Sequence, residues 1–202
     1  MKNCVIFCAG GFDRLEEPLH AADFVIAADG GFAHTQALGI TPHYVLGDFD
    51  SLGYVPEGAV VHPVEKDDTD AMLAVREGLS RGCDRFVIYG GLDGNRLDHT
   101  VANYQTLQFL ADRGARGYLV GVNQIATLIK NDSLTFPEES RGYVSVFCSG
   151  AAATGVKIRG LKYEVTDETL TPGFPLGVSN QFVGKKAEIS VKNGSLLVIW
   201  QR

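Results

Sequence analysis

The sequence has no run of basic residues and no apolar stretch near the roughly 20 residues that cross a bilayer. Its net charge is −6, from 18 Lys and Arg against 24 Asp and Glu. Nucleic acids and anionic membranes are bound by clustered Lys and Arg, so the charge pattern argues against both partners. The first apolar run is too short for a signal peptide. We therefore expect a cytoplasmic protein that binds neither nucleic acid nor membrane.

Familiar metal and nucleotide motifs are also missing. The four cysteines, Cys4, Cys8, Cys83 and Cys148, form no CxxC pair and no zinc-ligand spacing, so we expect reduced thiols. There is no GxxxxGK[ST] phosphate loop, no GxGxxG and no HExxH. Any functional assignment must therefore rest on other residues.

The first 120 or so residues alternate short apolar runs with segments of helical spacing. Helices are predicted near residues 70–81 and 98–113. Apolar runs without alternation are typical of strands covered on both faces, and their alternation with helices predicts a doubly wound, mostly parallel α/β sheet. The predicted strands are 4–8, 24–28, 44–46, 59–62, 86–89 and 117–120.

A different pattern follows residue 123, where short β-rich runs are separated by turn residues. Lys192-Asn193-Gly194-Ser195 stands between two of these runs and predicts a two-residue hairpin. The pieces predict a small antiparallel sandwich or barrel. We therefore expect an α/β domain over residues 1–125 and a β domain over 126–202. The predicted strands here are 143–148, 156–158, 162–165, 187–191 and 196–200.

Acidic residues gather where the predicted strands end. Asp48 and Asp50 follow the third strand, and Glu65-Lys66-Asp67-Asp68-Thr69-Asp70 precedes a predicted helix. Helix capping explains one or two of these acids, but not four carboxylates in six residues. Ligands of open α/β sheets bind beyond the carboxyl ends of the strands, and Mg²⁺ is usually held there by carboxylates and substrate phosphates. The pattern favours a metal site.

Glycine-rich turns end other strands of the same sheet. Cys8-Ala9-Gly10-Gly11 and Ala28-Asp29-Gly30-Gly31 follow the first two strands, and Gly90-Gly91-Leu92-Asp93-Gly94-Asn95-Arg96 follows the fifth. Glycines let the backbone approach a ligand, a helix N-terminus favours phosphate, and Arg96 would bind phosphate oxygens. Together with the acids, these turns favour a metal–nucleotide site.

The segments ADGG (28–31), GDFDS (47–51), EKDDTD (65–70) and GGLDGNRLDH (90–99), with Val178-Ser179-Asn180, resemble the thiamine pyrophosphokinase family nearly end to end. The resemblance implies an α/β domain joined to a β-sandwich, and a homodimer with its active site between subunits. It implies attack of the thiamine hydroxyl on the β-phosphorus of ATP with release of AMP. Thiamine and ATP are then the substrates and Mg²⁺ the cofactor.

The same resemblance assigns residues to roles. Thr69 and Asp70 would lie near thiamine, and the partner subunit would contribute Ser179 and Asn180. Asp70, and after it Asp98, is the expected acceptor of the hydroxyl proton, while Phe174, Phe182 and Trp200 suit core or interface roles better than a thiamine contact. Metal and triphosphate ligands are expected at Asp48, Asp50, Asp70 and Asp98. Nucleotide contacts are expected at Gly10, Gly11, Asp29, Gly30, Gly31, Ser51, Gly90, Gly91, Arg96 and His99.

Two other functions remain open at this point. A DxD-type Mg²⁺-dependent phosphohydrolase would use the same acids without needing an acceptor pocket. A non-catalytic thiamine- or nucleotide-binding module would need fewer candidate metal ligands than the sequence offers.

Overall fold

A computed structural model describes residues 2–63, 65 and 67–202 of the chain. The chain divides into two compact units, Met1–Val122 and Asn123–Arg202. Within the described ranges, no helix combines the length and apolar character that crossing a membrane requires.

In the part of the first unit that the structure describes, six strands form one parallel sheet in the order β4-β3-β2-β1-β5-β6. The strands consist of short apolar runs that are mostly buried, such as Phe24-Val25-Ile26-Ala27-Ala28. The order reverses between β1 and β5, which lie side by side, and such a reversal opens a crevice at the carboxyl ends of the two strands. The strands are β1 (Asn3–Phe7), β2 (Phe24–Ala28), β3 (Tyr44–Gly47), β4 (Val60–Val61), β5 (Arg85–Tyr89) and β6 (Arg116–Val120).

Among the described residues of this unit, three helices lie between strands: α1 (Gly31–Ala37), α2 (Asp70–Ser80) and α3 (Leu97–Ala111). The Thr69 side chain caps α2 by accepting a hydrogen bond from the Met72 amide at 3.2 Å. Helices α2 and α3 were predicted from the sequence, but α1 was not. It has only seven residues and starts after Gly30, which offers no side-chain cap.

Gly31 lies where α1 crosses β1, and a Cβ there would overlap the Phe7 carbonyl. We expect Gly31→Ala to lower the free energy of unfolding by about 3 kcal/mol, because backbone rather than a flexible side chain would have to move. Urea denaturation measures this change. Gly94→Ala in the same unit is the control, since the nearest atom to its added Cβ is 4.0 Å away. A similar loss in both variants would refute the close-approach explanation.

The second unit is β-rich, and its ladders are antiparallel. Its strands follow the order β7-β13-β9-β12-β8, and β10 and β11 also pair with β9. Apolar side chains including Ile129, Val144, Val156, Ile189 and Val198 form its core. The strands are β7 (Gln124–Lys130), β8 (Ser133–Phe136), β9 (Tyr143–Arg159), β10 (Val165–Leu170), β11 (Gly177–Gln181), β12 (Ala187–Ser190) and β13 (Asn193–Gln201).

The predicted hairpin at residues 192–195 is wrong. β12 and β13 pair with different halves of the long strand β9. The described residues of β12 and β13 therefore do not pair with each other as the two strands of a hairpin would. Gly194 has φ +103° and lies at a register shift opposite β9, where a Cβ would overlap the Ala152 carbonyl. The Asn-Gly pair therefore marks a bulge rather than a turn.

Two other strand predictions also need correction. Residues 143–148 and 156–158 belong to the single strand β9, and the predicted strand 162–165 is displaced toward the C-terminus as β10. β9 contains Gly150 and Gly155, both with positive φ. These glycines interrupt the apolar pattern, so the sequence predicts two separate strands where the structure has one.

Candidate functional site

A cavity of about 640 Å³ opens at the carboxyl ends of the parallel strands. It adjoins β1 and β5, where the strand order reverses, and it includes the starts of α2 and α3. Its lining is mostly polar or glycine. The residues lining it are Cys8, Ala9, Gly10, Ala28, Asp29, Asp48, Asp50, Ser51, Asp68, Thr69, Asp70, Ala71, Gly90, Gly91, Gly94, Asn95, Arg96, His99 and Asn103.

Three carboxylates form a cluster in this cavity. One oxygen from each of Asp29, Asp48 and Asp50 lies within 4.8 Å of the others. Asp29 follows β2 in a left-handed conformation with φ +47°. Gly47 at the end of β3 lets the two strand ends approach, because a Cβ there would be 2.9 Å from the Asp29 Cα. The backbone thus brings Asp29 beside the Asp-x-Asp pair.

The hydrogen bonds around Asp29 and Asp50 do not satisfy every carboxylate oxygen. The Ser51 hydroxyl oxygen lies 2.5 Å from Asp29 Oδ2 and 3.1 Å from Asp50 Oδ1, but a hydroxyl has only one hydrogen to donate. Among the described residues, the buried Asp29 Oδ1 has no hydrogen-bond partner. Close like charges with a buried, unsatisfied oxygen favour a bound cation, and oxygen ligands suit a hard divalent one.

Arg96 and Asp98 form an ion pair beside the cavity. Arg96 Nη2 is 2.6 Å from Asp98 Oδ2, and Nε is 3.2 Å from Oδ1. Hydrogen bonding to Arg96 holds the pKa of the Asp98 carboxyl below its usual range. Arg96 and His99 line the cavity, whereas Asp98 is not among the lining residues and its side chain is 64% exposed.

Asp70 lies in the first turn of α2 and lines the cavity next to Thr69. Burial raises the pKa of the neighbouring Cys8 thiol to about 12, and the negative charges of Asp70 and Asp29 add to this shift. Cys8 is therefore protonated at neutral pH and is no nucleophile.

The structure brings most of the predicted site residues of the first unit together. The cavity is lined by Gly10, Asp29, Asp48, Asp50, Ser51, Thr69, Asp70, Gly90, Gly91, Arg96 and His99. Gly11, Gly30, Gly31 and Asp98 are not among its lining residues. For Gly30 and Gly31 the structure gives a packing reason, since a Cβ on Gly30 would approach the Ala9 Cβ to 2.8 Å. Lys66, in the acidic segment, lies outside the described residues.

Ser179 and Asn180 lie on β11 of the second unit. The Asn180 side chain is buried, donates to the Tyr163 carbonyl at 2.7 Å and accepts from the Tyr163 amide at 3.0 Å. Both ends of this amide therefore hold the Tyr163 backbone. Ser179 is exposed and has φ +60°.

The three candidate aromatic residues differ in their surroundings. Phe182 and Trp200 contact Phe136, with ring centroids 5.0 and 5.3 Å apart, and pack in or against the core of the second unit. Phe174 is 64% exposed. The core role expected for Phe182 and Trp200 agrees with this packing.

Asn103 is a cavity residue that the sequence reasoning missed. It lies on α3, is buried, and donates from Nδ2 to the Gly91 carbonyl at 2.8 Å. A signal existed, because His99 and Asn103 are four residues apart and share one helix face. Asp68, which also lines the cavity, pairs with Arg76 at 2.8 Å.

Comparisons with known proteins agree on one family. The family model "Thiamin pyrophosphokinase, catalytic domain" matches residues 15–119, and "Thiamin pyrophosphokinase, vitamin B1 binding domain" matches residues 133–196. A curated relative, the thiamine pyrophosphokinase of Bacillus subtilis strain 168, is 26% identical over 183 residues, covering 86% of this chain and 85% of the relative.

Solved structures share the fold. The crystal structure of thiamine pyrophosphokinase from Bacillus subtilis has a TM-score of 0.85 at 24% identity and covers 98% of each chain. Yeast thiamin pyrophosphokinase has a TM-score of 0.74 at 16% identity, covering 100% of this chain and 86% of its own.

Proposed function

The chain belongs to the thiamine pyrophosphokinase family, and we propose that its reaction takes place in the cavity at the strand ends, with ATP and a divalent cation, Mg²⁺. The reaction is the synthesis of thiamine diphosphate by pyrophosphoryl transfer. The observation that carries this placement is the meeting of three carboxylates, two glycine-rich turns and Arg96 in one cavity.

The cation would be held by Asp29, Asp48 and Asp50. The buried Asp29 Oδ1 without a hydrogen-bond partner and the single Ser51 proton shared by two carboxylates support this assignment. The Asp-x-Asp spacing alone predicts Asp48 and Asp50 as metal ligands, but not Asp29. Bound Mg²⁺ would neutralise phosphate charge as it develops.

The phosphates would lie against the turns at Gly10 and Gly90, with Arg96 binding their oxygens. Phosphoryl transfer depends mainly on positioning and charge neutralisation, and these groups supply both. Arg96 pairs with Asp98, which keeps the guanidinium beside the cavity. Asp98 thus acts on the phosphates through Arg96.

Arg96→Lys is expected to lower kcat/KM for ATP about tenfold. Lysine keeps the charge but loses the planar fork that holds Asp98 and would hold phosphate oxygens. Initial rates over a range of ATP concentrations, at saturating thiamine, measure this. Arg113→Lys is the control, because Arg113 lies beyond the C-terminus of α3 and stacks on Phe109. Unchanged kinetics in Arg96→Lys would remove Arg96 from the phosphate site.

Thiamine would enter beside Thr69 and Asp70. Its hydroxyl oxygen forms a bond to the β-phosphorus while the bond from that phosphorus to the α,β-bridging oxygen breaks, and AMP leaves with that oxygen. The hydroxyl proton passes to the Asp70 carboxylate. The acidic lining of the cavity suits the cationic thiazolium ring.

We also propose a homodimer in which Ser179 approaches thiamine across the subunit interface, with Asn180 holding the neighbouring Tyr163 backbone in place. Support comes from large apolar side chains exposed just before Ser179, at Phe174, Leu176 and Val178.

On the fold, we propose that the helices of the first unit cover both sheet faces, that the second unit is a sandwich, and that the domains join near residue 125. We place the reaction in the cytoplasm.

The test is AMP formation from Mg²⁺ and ATP with and without thiamine. Thiamine-dependent AMP supports the proposal, and its absence refutes it. Inorganic phosphate released without thiamine would instead indicate a phosphohydrolase, and binding without turnover a non-catalytic module.

A further inference from the structure

Two side chains on one face of α3 hold the loop that follows β5. The Asn103 Nδ2 donates to the Gly91 carbonyl at 2.8 Å, and the Thr100 hydroxyl donates to the Leu92 carbonyl at 3.1 Å. Residues three apart on a helix lie on the same face, so both donors point to the same stretch of loop. Two consecutive carbonyls are thereby fixed to the helix.

The flanking carbonyls of this loop are held from another direction. The Gly10 amide donates to the Gly90 carbonyl at 3.1 Å, and the Gly11 amide donates to the Asp93 carbonyl at 3.0 Å. Four consecutive carbonyls, from Gly90 to Asp93, therefore accept hydrogen bonds from two separate elements. The backbone of residues 90–93 is therefore held from two sides.

Thr100 and Asn103 are poor choices for helix stability alone. Asparagine and threonine rank low among helix formers, and a buried asparagine needs hydrogen bonds to offset its desolvation. Thr106 on the same helix provides a contrast, because its hydroxyl donates to the Ala102 carbonyl within the helix. Thr100 and Asn103 instead direct their donors away from the helix, to the loop.

We propose that Thr100 and Asn103 are positioning residues that hold the loop 90–96 in its phosphate-binding conformation. The proposal rests on the assignment of this cavity to ATP. Neither residue needs to touch the transferred group. A loop that is ordered in advance loses less conformational freedom on binding, and it keeps Arg96 at a fixed place beside the phosphates.

Neutral substitutions of similar shape isolate the two hydrogen bonds. Thr100→Val and Asn103→Leu remove each donor without adding charge near an anionic ligand. Thr100→Ser restores the hydroxyl and serves as the rescue variant. Thr106→Val is the matched control, since it removes a hydroxyl that bonds only within the same helix.

The first readout is the dissociation constant of α,β-methylene-ATP with Mg²⁺, measured by calorimetry. We expect about tenfold weaker binding in Thr100→Val and in Asn103→Leu, the effect of one buried hydrogen bond. Thr100→Ser and Thr106→Val should bind as the wild type does. KM for ATP should rise in parallel while KM for thiamine stays constant, a split that general destabilisation would not produce.

The second readout is amide hydrogen exchange of residues 90–96 in the ligand-free protein, which needs no nucleotide. Thr100→Val and Asn103→Leu should speed exchange there, but Thr106→Val should not. Faster exchange without any nucleotide binding by the wild type would refute the ATP assignment while leaving the role in loop order standing. Unchanged affinity and exchange in folded variants, or failure of both variants to fold, would overturn the positioning role.

Discussion

Asp50→Asn is expected to lower the rate of thiamine diphosphate formation at least about 100-fold, because it removes one carboxylate from the three-acid cluster that would hold the cation. The folded state should not suffer. Without metal the substitution relieves repulsion among three close carboxylates, so the melting temperature should equal or exceed that of the wild type. Activity and thermal unfolding, each over a range of Mg²⁺ concentrations, measure the two effects.

The metal dependence of stability separates this explanation from a general defect. Mg²⁺ that binds only the folded state raises the wild-type melting temperature, and this rise should be lost in Asp50→Asn. Asp67→Asn is the control, since Asp67 is exposed and is not among the cavity-lining residues. Near-normal turnover of Asp50→Asn at saturating Mg²⁺ would remove Asp50 from the metal site.

Asp70→Asn is expected to lower kcat by a factor of about 10² to 10⁴, the usual contribution of a general base. Asp70 lines the cavity, whereas Asp98 is exposed and bound to Arg96, which holds its pKa low and makes it a weaker proton acceptor. Asp98→Asn should therefore raise KM for ATP, through Arg96, more than it lowers kcat.

Rates at saturating ATP and thiamine measure the contrast between Asp70 and Asp98. Binding of α,β-methylene-ATP, checked in both variants, shows whether the cavity remains formed. A larger loss of kcat in Asp98→Asn than in Asp70→Asn would contradict this assignment and make Asp98 the proton acceptor.

The parallel sheet could be predicted from sequence because its strands are short apolar runs, and segments of helical spacing separate the last three of them. An apolar run without alternation indicates a strand that is buried on both faces, and this can be recognised from consecutive residues alone. The pairing of β12 and β13 is not local: both lie on β9, and an Asn-Gly pair that reads as a hairpin turn serves as a bulge. Glycines inside β9 likewise hide a continuous strand.

The candidate site could be anticipated because the residues that end parallel strands meet at one edge of the sheet. That reasoning brings Asp48, Asp50 and the glycine turns together. It does not reveal that Asp29 joins the acids, which depends on its left-handed backbone and on the close approach at Gly47. It also misses Thr100 and Asn103. Helical spacing puts Asn103 on the same face as His99, but the loop carbonyls that Thr100 and Asn103 bind cannot be recognised from the sequence.

The central claim is tested most directly by following the label of [γ-³²P]ATP in the presence of thiamine and Mg²⁺. Transfer of the intact diphosphate predicts that the label appears in thiamine diphosphate, with one AMP formed for each labelled product. Label recovered as inorganic phosphate, or as pyrophosphate independently of thiamine, would contradict diphosphate transfer at this site.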